Sequence, residues 1–220
     1  MIKRILICSW AIGLVLAFGC KPSPKPQLTL AKGESIALFD GQSFKGWEGN
    51  KDFFRIEEEA IVGGNLEEAI PQNQFLCTEA SFEDFELRLK VKFWPKNNNG
   101  GIQIRSARIP DHHEVIGYQV DVGYAGTEAV WGSIYDESRR GRFVARAPAE
   151  AIARLLKEED YNDYRIRCEG KRIQIWFNGE QVVDYTEPEA DIPQNGVICV
   201  QIHGGPPSQA WYKEIVLEQL

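Results

Sequence analysis

The side chains best suited to chemistry in this sequence lie near its end, in the stretch GVICVQIHGG at residues 196–205. Its alternation predicts a strand whose aliphatic residues face a core while Gln201 and His203 point to the other side. The Gly-Gly-Pro-Pro run that follows must turn the chain away. An imidazole can exchange a proton near neutral pH, and an amide can bind hydroxyl groups. We therefore interpret this strand as the floor of a binding cleft.

Two earlier predicted strands carry hydrogen-bonding side chains at the positions that alternate with their core residues. These positions hold Gln103 and Arg105 in the first strand, and Gln119 and Asp121 in the second. Taken alone, His203 would be interpreted as a structural or surface histidine. Because it alternates to the same outward face as Gln201, and Arg105 and Asp121 do so on their own strands, a functional role is equally reasonable. An ion pair between Arg105 and Asp121 on a solvated sheet explains their pattern equally well.

Two further charged stretches fall in predicted loops. His112, His113 and Glu114 carry groups that suit metal ions, but adjacent residues of an extended segment face apart. A solvated loop that rims a site is therefore the preferred interpretation; no cofactor is identified, and a divalent metal stays an open alternative. The four arginines between residues 139 and 146 either contact an acidic partner or form a solvated edge neutralised by nearby acids.

The elements that must position these residues are predominantly strands. Residues 85–93 (FELRLKVKF) alternate apolar and charged residues, as expected of a half-buried antiparallel strand. Asn178–Gly179 is a strong hairpin signal, and residues 150–159 are the one stretch with helical spacing. About a dozen short strands with many turns predict an all-β fold, a two-sheet antiparallel β-sandwich with one short helix at most.

The first part of the 220-residue chain is typical of an export signal. Lys3 and Arg4 precede a short apolar run that ends at Cys20, so residues 1–20 are interpreted as a lipoprotein-type signal peptide, with Cys20 as the lipidation site. An ordinary signal peptide or an uncleaved anchor is the alternative. Residues 21–34 read as a Pro-rich tether and residues 35–220 as one domain. We expect an exported, periplasmic or cell-surface protein.

The charge of the mature chain limits its partners. The full sequence has 25 Lys and Arg against 32 Asp and Glu, a formal net charge of -7, and removal of Lys3 and Arg4 makes it -9. An acidic body argues against nucleic acid and against electrostatic adhesion to anionic lipid, so membrane association would come through the lipid anchor only.

Three cysteines remain in the predicted domain, namely Cys77, Cys168 and Cys199. Their number is odd and no CxxC spacing is present, so neither a disulfide framework nor a zinc site is indicated. We expect three small buried thiols, with one disulfide as the alternative in an oxidising compartment.

The order and spacing of several motifs carry a family resemblance over most of the predicted domain. They are LFDG at 38–41 with GW at 46–47, FEDFELRL at 82–89, NGGI at 99–102 leading to Arg105, GYQV at 117–120, GSIY at 132–135, NDY at 162–164 through WFNG at 176–179, and residues 196–205. Together they resemble the 3-keto-disaccharide hydrolase family. The resemblance implies a concanavalin-like jelly roll, an exported bacterial lipoprotein, and cleavage of glycosides whose sugar ring is oxidised at C3.

The resemblance also carries over individual positions. Arg105, Gln201, His203 and the residue after the Gly-Tyr pair fall where the family has recurrent polar groups. Many relatives have Glu after that pair, whereas this chain has Gln119. Either Asp121, two residues further on the same face, replaces that carboxylate, or this protein has changed or lost the reaction.

The implied reaction assigns roles to these side chains. A ketone at C3 acidifies the proton on C2, so a modest base can remove it, and the group on C1 can then leave by elimination or net hydrolysis. We expect a catalytic group of His203, Asp121 and Arg105, the last stabilising enolate charge. The expected substrate-binding residues are Gln103, Gln119 and Gln201 for hydroxyl groups and Trp131 or Tyr135 for stacking on the sugar. The alternatives are a noncatalytic carbohydrate-binding module and, less favoured, a structural subunit of a surface complex.

Overall fold

The computed structural model describes residues 30–220. The predicted signal peptide, its lipidation site Cys20 and most of the predicted tether lie outside these residues. In the described part of the chain, no helix is long and apolar enough to cross a membrane.

Short strands form most of the described chain because apolar and polar residues alternate between frequent turns. The strands are β1 (Ser35–Ala37), β2 (Trp47–Gly49), β3 (Phe54–Glu57), β4 (Ala60–Gly63), β5 (Gln74–Thr78), β6 (Phe85–Trp94), β7 (Asn99–Arg108), β8 (Val115–Ala125), β9 (Glu128–Ala129), β10 (Ile134–Glu137), β11 (Phe143–Ala145), β12 (Asn162–Glu169), β13 (Arg172–Phe177), β14 (Glu180–Thr186), β15 (Val197–Ile202) and β16 (Gln209–Gln219). A 3₁₀ turn spans Lys51–Phe53, and the α-helix α1 spans Ala149–Leu155.

The strands build two antiparallel sheets. The front sheet has the order β11-β10-β8-β7-β15-β5-β2, with β9 beside β8. The back sheet has the order β14-β13-β12-β6-β16-β4-β3, with β1 beside β16. The predicted all-β sandwich with one short helix is confirmed.

The core lies between the two sheets because each strand buries alternate residues. On β6, Leu87, Leu89 and Val91 are buried, as the period of two predicts. The front sheet contributes Ile102 and Val120 to the same cluster. The other face of each sheet is therefore free to carry polar side chains.

The cysteine prediction is wrong for two of the three thiols. Cys77 and Cys199 lie directly opposite each other on β5 and β15 and form a disulfide. Cys168 is a free buried thiol, as expected. The sequence could not reveal the pair, because 122 residues separate the two cysteines and only the register of the front sheet brings them together.

Candidate functional site

The outward face of the front sheet, which we call the front face, gathers most of the predicted site residues in two adjacent rows. One row runs from Gln201 on β15 across Gly101 on β7 to Asp121 on β8. The next row holds Cys199, Gln103, Gln119 and Tyr135 on four neighbouring strands. Gly101 leaves room for the side chain of Gln119, since a Cβ at this position would overlap it.

A directed chain of hydrogen bonds crosses this face. Ser106 Oγ donates to Gln103 Oε1 (2.8 Å), and Gln103 Nε2 donates to Gln119 Oε1 (2.7 Å). Gln119 Nε2 then donates to Asp121 Oδ1 at 2.7 Å. All four side chains are buried, so their orientations are fixed by one another. The chain ends on a single oxygen of Asp121.

The environment of Asp121 favours its protonated form. The residue is 4% exposed, and burial, together with the nearby charge of Glu137, raises its pKa to about 8 against the opposing hydrogen bond from Gln119. Asp121 is therefore mostly a neutral acid at pH 7, able to donate a proton.

Glu137 is the second titrating acid of the front face. It follows Tyr135 by two residues on β10 and lies opposite Gly117 of β8, where Ser106 occupies the place that a side chain would take. Burial, followed by the charge of Glu114, raises the pKa of Glu137 to about 7. Near neutral pH it exchanges a proton readily, as a general base requires.

Glu114 reaches this face from the β7–β8 loop. Its Oε1 accepts a hydrogen bond from Asn73 Nδ2 at 2.9 Å and lies 3.2 Å from His113 Nε2. Its Oε2 is buried and has no hydrogen-bond partner among residues 30–220. The loop predicted at 106–116 is shorter in the structure, at 109–114, because β7 extends to Arg108 and β8 begins at Val115. One carboxylate oxygen of Glu114 has no protein partner in the described chain.

His203 lies just beyond β15, at the edge of the same face. It is half-buried, and its Nδ1 is 2.6 Å from the carbonyl oxygen of Gly204. Asn73 links this turn to the loop, since Asn73 Oδ1 accepts from Gly204 N while its Nδ2 donates to Glu114. His203 therefore borders the site through its turn, with no contact to Asp121 in the described chain.

Gln201 has an unusual environment for an amide. Its side chain is fully buried, and neither Oε1 nor Nε2 has a hydrogen-bond partner in the described part of the chain. A buried amide without protein partners costs free energy, so such a group is expected to bind a water molecule or a ligand. A ligand could use the N–H groups and the oxygen of Gln201 only where it replaces the groups that now cover them.

Arg105 does not join this group. A β-bulge between Ile104 and Ala107 puts Arg105 at a φ of 49°, which changes the direction of its side chain. Its guanidinium binds Asp84 Oδ1 at 2.9 Å and is completed by three other acceptors. The predicted convergence of Arg105 with Asp121 and His203 is not found. That prediction assumed regular alternation along β7, which the bulge interrupts.

Trp131 and Tyr135, the two residues predicted to stack on the sugar, lie in different parts of the protein. Trp131 is 2% exposed and packs against Phe177 of the back sheet, with 5.8 Å between the ring centroids. It belongs to the core and cannot stack on a ligand at the front face. Tyr135 is half-buried on the front face, packs edge-on against Phe143, and has a pKa raised first by burial.

An open cleft adjoins the two rows. It has a volume of about 430 Å³ and is lined by Phe75, Arg108 and the 109–113 loop, among others. Phe75 is the direct neighbour of Gln201 on β5. A ligand in this cleft would thus lie one strand away from the free amide. In the described residues, no group of three or more His, Cys, Asp and Glu side chains is arranged to hold a metal ion.

Glu137 is the site residue that sequence reasoning missed. The sequence contained the pattern that could have identified it, because Glu137 is two residues from Tyr135 on the same short strand and so lies on the same outward face. Glu114 was recognised as part of a rim, but its contact with Asn73 spans 41 residues and has no local signal.

Comparisons with known proteins agree with this architecture. Residues 34–218 match the family model described as the 3-keto-alpha-glucoside-1,2-lyase-like domain. Among curated protein sequences, none matches this chain.

Solved structures resemble the chain in fold. A proposed glycosyl hydrolase from Parabacteroides distasonis superposes with a TM-score of 0.65 at 16% identity, covering 84% of this chain and 94% of that one. The carbohydrate-binding module CBM66 from Bacillus subtilis gives 0.56 at 14% identity, covering 79% and 96%. A Bacillus subtilis protein with a galectin-like fold gives 0.60 at 10% identity, covering 84% and 94%.

Proposed function

The chain belongs to the family of 3-keto-alpha-glucoside-1,2-lyase-like domains, and on this premise we propose that its front face cleaves 3-keto-glycosides by elimination across C1 and C2. The observation that carries the proposal is the pair of carboxyl groups whose pKa values are raised to about 8 for Asp121 and about 7 for Glu137. Glu137 lies opposite Gly117, four residues along β8 from Asp121, and its charge contributes to the raised pKa of Asp121. We therefore assign both carboxyl groups to one site, since a neutral acid and a base of near-neutral pKa on the same face are what an acid–base elimination requires.

Glu137 acts as the base in this proposal. Its carboxylate removes the C2 proton of the substrate, which the C3 ketone has made acidic, and the electron pair forms an enolate shared with the C3 oxygen. The pair then closes the C1–C2 double bond as the C1–O bond breaks. Asp121 gives its proton to the departing oxygen, so the aglycone leaves as a neutral alcohol or sugar. Proton exchange with water restores both carboxyl groups, and later water addition would give net hydrolysis.

The amide of Gln201 supplies the stabilisation that the sequence assigned to Arg105. Its Nε2 is buried without a partner in the described chain and can donate to the C3 oxygen, where negative charge develops. Its Oε1 can accept from a sugar hydroxyl group. The guanidinium of Arg105 is already occupied by Asp84 and three further acceptors, so it has no part in this scheme.

The test measures aglycone release from a p-nitrophenyl 3-keto-α-glucoside. We expect Glu137→Gln to lower kcat/KM by roughly 100-fold or more, the usual contribution of a general base. Asp121→Asn should have an effect of this size on a methyl 3-keto-α-glucoside, whose alkoxide must be protonated as it leaves, and a smaller one on the p-nitrophenyl substrate, whose aglycone leaves as a stable anion. The exposed acids Asp191 and Glu79 provide matched controls, and Asp191→Asn and Glu79→Gln should retain full activity. Retention of activity in both site variants would refute the assignment.

A noncatalytic carbohydrate-binding function is the second candidate, and Gln119 favours it. The family resemblance implies Glu at this position, and the amide present instead already accepts from Gln103 and donates to Asp121. The same experiment separates the two functions. Saturable binding of the 3-keto-glycoside with no release of p-nitrophenol, at any enzyme concentration, would favour the binding module.

A further inference from the structure

The outward face of the back sheet, on the opposite side of the sandwich, carries an aromatic cleft that the proposed reaction does not use. Strands β6 and β16 pair Trp94 with Gln209 and Lys92 with Trp211. Side chains two residues apart on a strand share a face, so these four form a square. Together with Glu159 they line a cleft of about 260 Å³, which we call the back cleft.

The aromatic groups of the back cleft have different environments. Trp211 is 7% exposed and forms part of the floor, with Lys92 Nζ 4.3 Å above its ring centroid. Its Nε1 donates to Gln209 Oε1 at 3.2 Å, which fixes the orientation of that amide. Trp94, in contrast, is 41% exposed. One indole is held in place by its neighbours, and the other is left open to solvent.

An exposed tryptophan is exceptional in this protein. Across residues 30–220, the large hydrophobic side chains classed as exposed are Trp94 and Leu66. Elsewhere the outward face of the back sheet is covered by ion pairs, such as Lys90 with Glu214 and Arg88 with Glu218. Solvation therefore explains the charged residues of this face, but it does not explain an open indole beside an amide, an ammonium and a carboxylate.

We propose that the back cleft is a second carbohydrate-binding site, which takes one neutral sugar ring of a polysaccharide. The apolar face of a pyranose would stack on Trp94, while its hydroxyl groups would bond to the amide of Gln209, the ammonium of Lys92 and the carboxylate of Glu159. A ring with both an apolar face and a polar rim matches this lining. Since one cation and one anion both line the cleft, a neutral ring fits better than a charged one.

The size of the back cleft limits the ligand. Its volume of about 260 Å³ is below the ~300–1,000 Å³ typical of pockets that enclose a drug-sized molecule. A single ring fits, with the rest of the polymer outside. The cleft would thus hold the protein on a polymer without taking part in the reaction at the front face.

Binding to insoluble polysaccharides tests this proposal with probes that lack the 3-keto group. Microcrystalline cellulose, granular starch and insoluble xylan are each incubated with the protein, and the bound fraction is measured by depletion. We expect retention on at least one of them, weakened roughly tenfold or more by Trp94→Ala, as is usual when a central aromatic contact is truncated. Trp94→Phe should keep most of the binding, and Glu159→Ala should weaken it less than Trp94→Ala.

Leu66→Ala is the matched control, because Leu66 is the other exposed large hydrophobic residue. It should bind like the unaltered protein, which excludes general loss of surface hydrophobicity as the cause. Release of p-nitrophenol from the 3-keto-glycoside should be unchanged in Trp94→Ala, so failure here is distinguishable from failure at the front face. Equal binding by Trp94→Ala and the unaltered protein, or retention on none of the three polymers, would overturn the proposal.

Discussion

The outward faces of the two sheets present the same residue types in opposite physical states. On the front face, Asp121 is 4% exposed, and burial raises its pKa to about 8. On the back face, Asp184 is exposed, and its hydrogen bond and ion pair with Arg172 lower its pKa. Both aspartates lie on strands and both face away from the core. Solvent access and pairing, rather than strand position, decide which of them can act as an acid near neutral pH.

The contrast extends to the uncharged side chains. The front face buries a chain of amides and one serine hydroxyl whose hydrogen bonds end at Asp121. The back face balances its lysines and arginines with acids, most of which remain in water, as in the pair of Arg167 with Glu169; the exception is Glu86, which is buried and pairs with Arg88. Exposed pairs of this kind contribute little to stability. The front face therefore keeps a buried carboxyl group whose pKa is raised, whereas the pKa of Asp184 on the back face is lowered.

The pH dependence of the reaction is the prediction with the largest effect. Glu137 must be deprotonated to act as base, and Asp121 must be protonated to act as acid, so kcat/KM should peak between about pH 7 and pH 8. Outside this window the rate should fall about tenfold per pH unit on each side. Because the two carboxyl groups interact, the two limbs report the pair and not each residue separately. The measurement is the rate of methanol release from the methyl 3-keto-α-glucoside from about pH 3 to about pH 10, because this leaving group depends on the proton of Asp121.

A flat profile over this range would contradict the acid–base pair, as would a maximum below about pH 5, where ordinary carboxylates titrate. The Asp184→Asn variant provides the control from the back face. Its profile should coincide with that of the unaltered protein, because Asp184 lies on the opposite sheet.

The next prediction concerns stability. Replacement of the two aspartates by asparagine should change the free energy of unfolding at pH 8 in opposite directions. The pKa of Asp121 rises from the ordinary value of 3.8 to about 8 on folding, so the folded state holds a proton that the unfolded state has lost in this range. Stability therefore falls as pH rises from about 4 to about 8, and stays low above that. Asp121→Asn removes the titration. It should raise the free energy of unfolding at pH 8 by about 1 kcal/mol or more, since each pKa unit is worth about 1.4 kcal/mol.

Asp184→Asn should behave in the opposite way. The pKa of Asp184 is lowered on folding, so its contribution is present above its ordinary pKa and is lost as pH falls through the folded value. The variant should be slightly less stable than the unaltered protein at pH 8 and equal to it in acid. Urea denaturation at about pH 4 and about pH 8 measures the difference for Asp121→Asn, and a further series at about pH 2, below the ordinary carboxyl pKa, is compared with pH 8 for Asp184→Asn. Stabilisation of equal size by both variants at pH 8 would show that the faces do not differ as described.

Much of this contrast could be predicted from alternation, because a period of two assigns side chains to faces without any tertiary information. The buried Leu87 and exposed Arg88 of β6 follow that period, and so do Gln119 and Asp121 of β8. The prediction failed at Arg105, where a β-bulge inserts an extra residue and turns the side chain aside. No composition signal marks that bulge in the sequence.

Features that depend on which strands are neighbours could not be predicted. The Cys77–Cys199 disulfide requires β5 to lie beside β15, and the contact of Asn73 with Glu114 requires the 109–114 loop to fold back over the sheet. Trp131 was expected to stack on the sugar, whereas the turn before β10 directs it into the core. Alternation along a strand shows which face of the sheet a residue occupies. It gives no such information for a residue outside a strand, such as Trp131.

The last prediction compares two buried glutamines of the front face, which differ only in their partners. Gln103 accepts from Ser106 and donates to Gln119, whereas Gln201 has neither bond among the described residues. Gln103→Met should lower the free energy of unfolding by about 1–3 kcal/mol, because it leaves Gln119 Oε1 unpaired and Ser106 Oγ with only the carbonyl oxygen of Ile104 as an acceptor. Gln201→Met removes an amide that is already unpaired, so it should leave stability unchanged or raise it by about 1 kcal/mol.

Activity should separate the two glutamines in another way, since Gln201 is proposed to bind the C3 oxygen. Gln201→Met should lower kcat/KM for the 3-keto-glycoside while the protein becomes no less stable, which is the behaviour of a residue kept for a ligand. Paired urea denaturation and p-nitrophenol release assays on both variants measure this. If Gln201→Met were as destabilising as Gln103→Met, its amide would have structural partners, and its proposed role toward the substrate would have to be withdrawn.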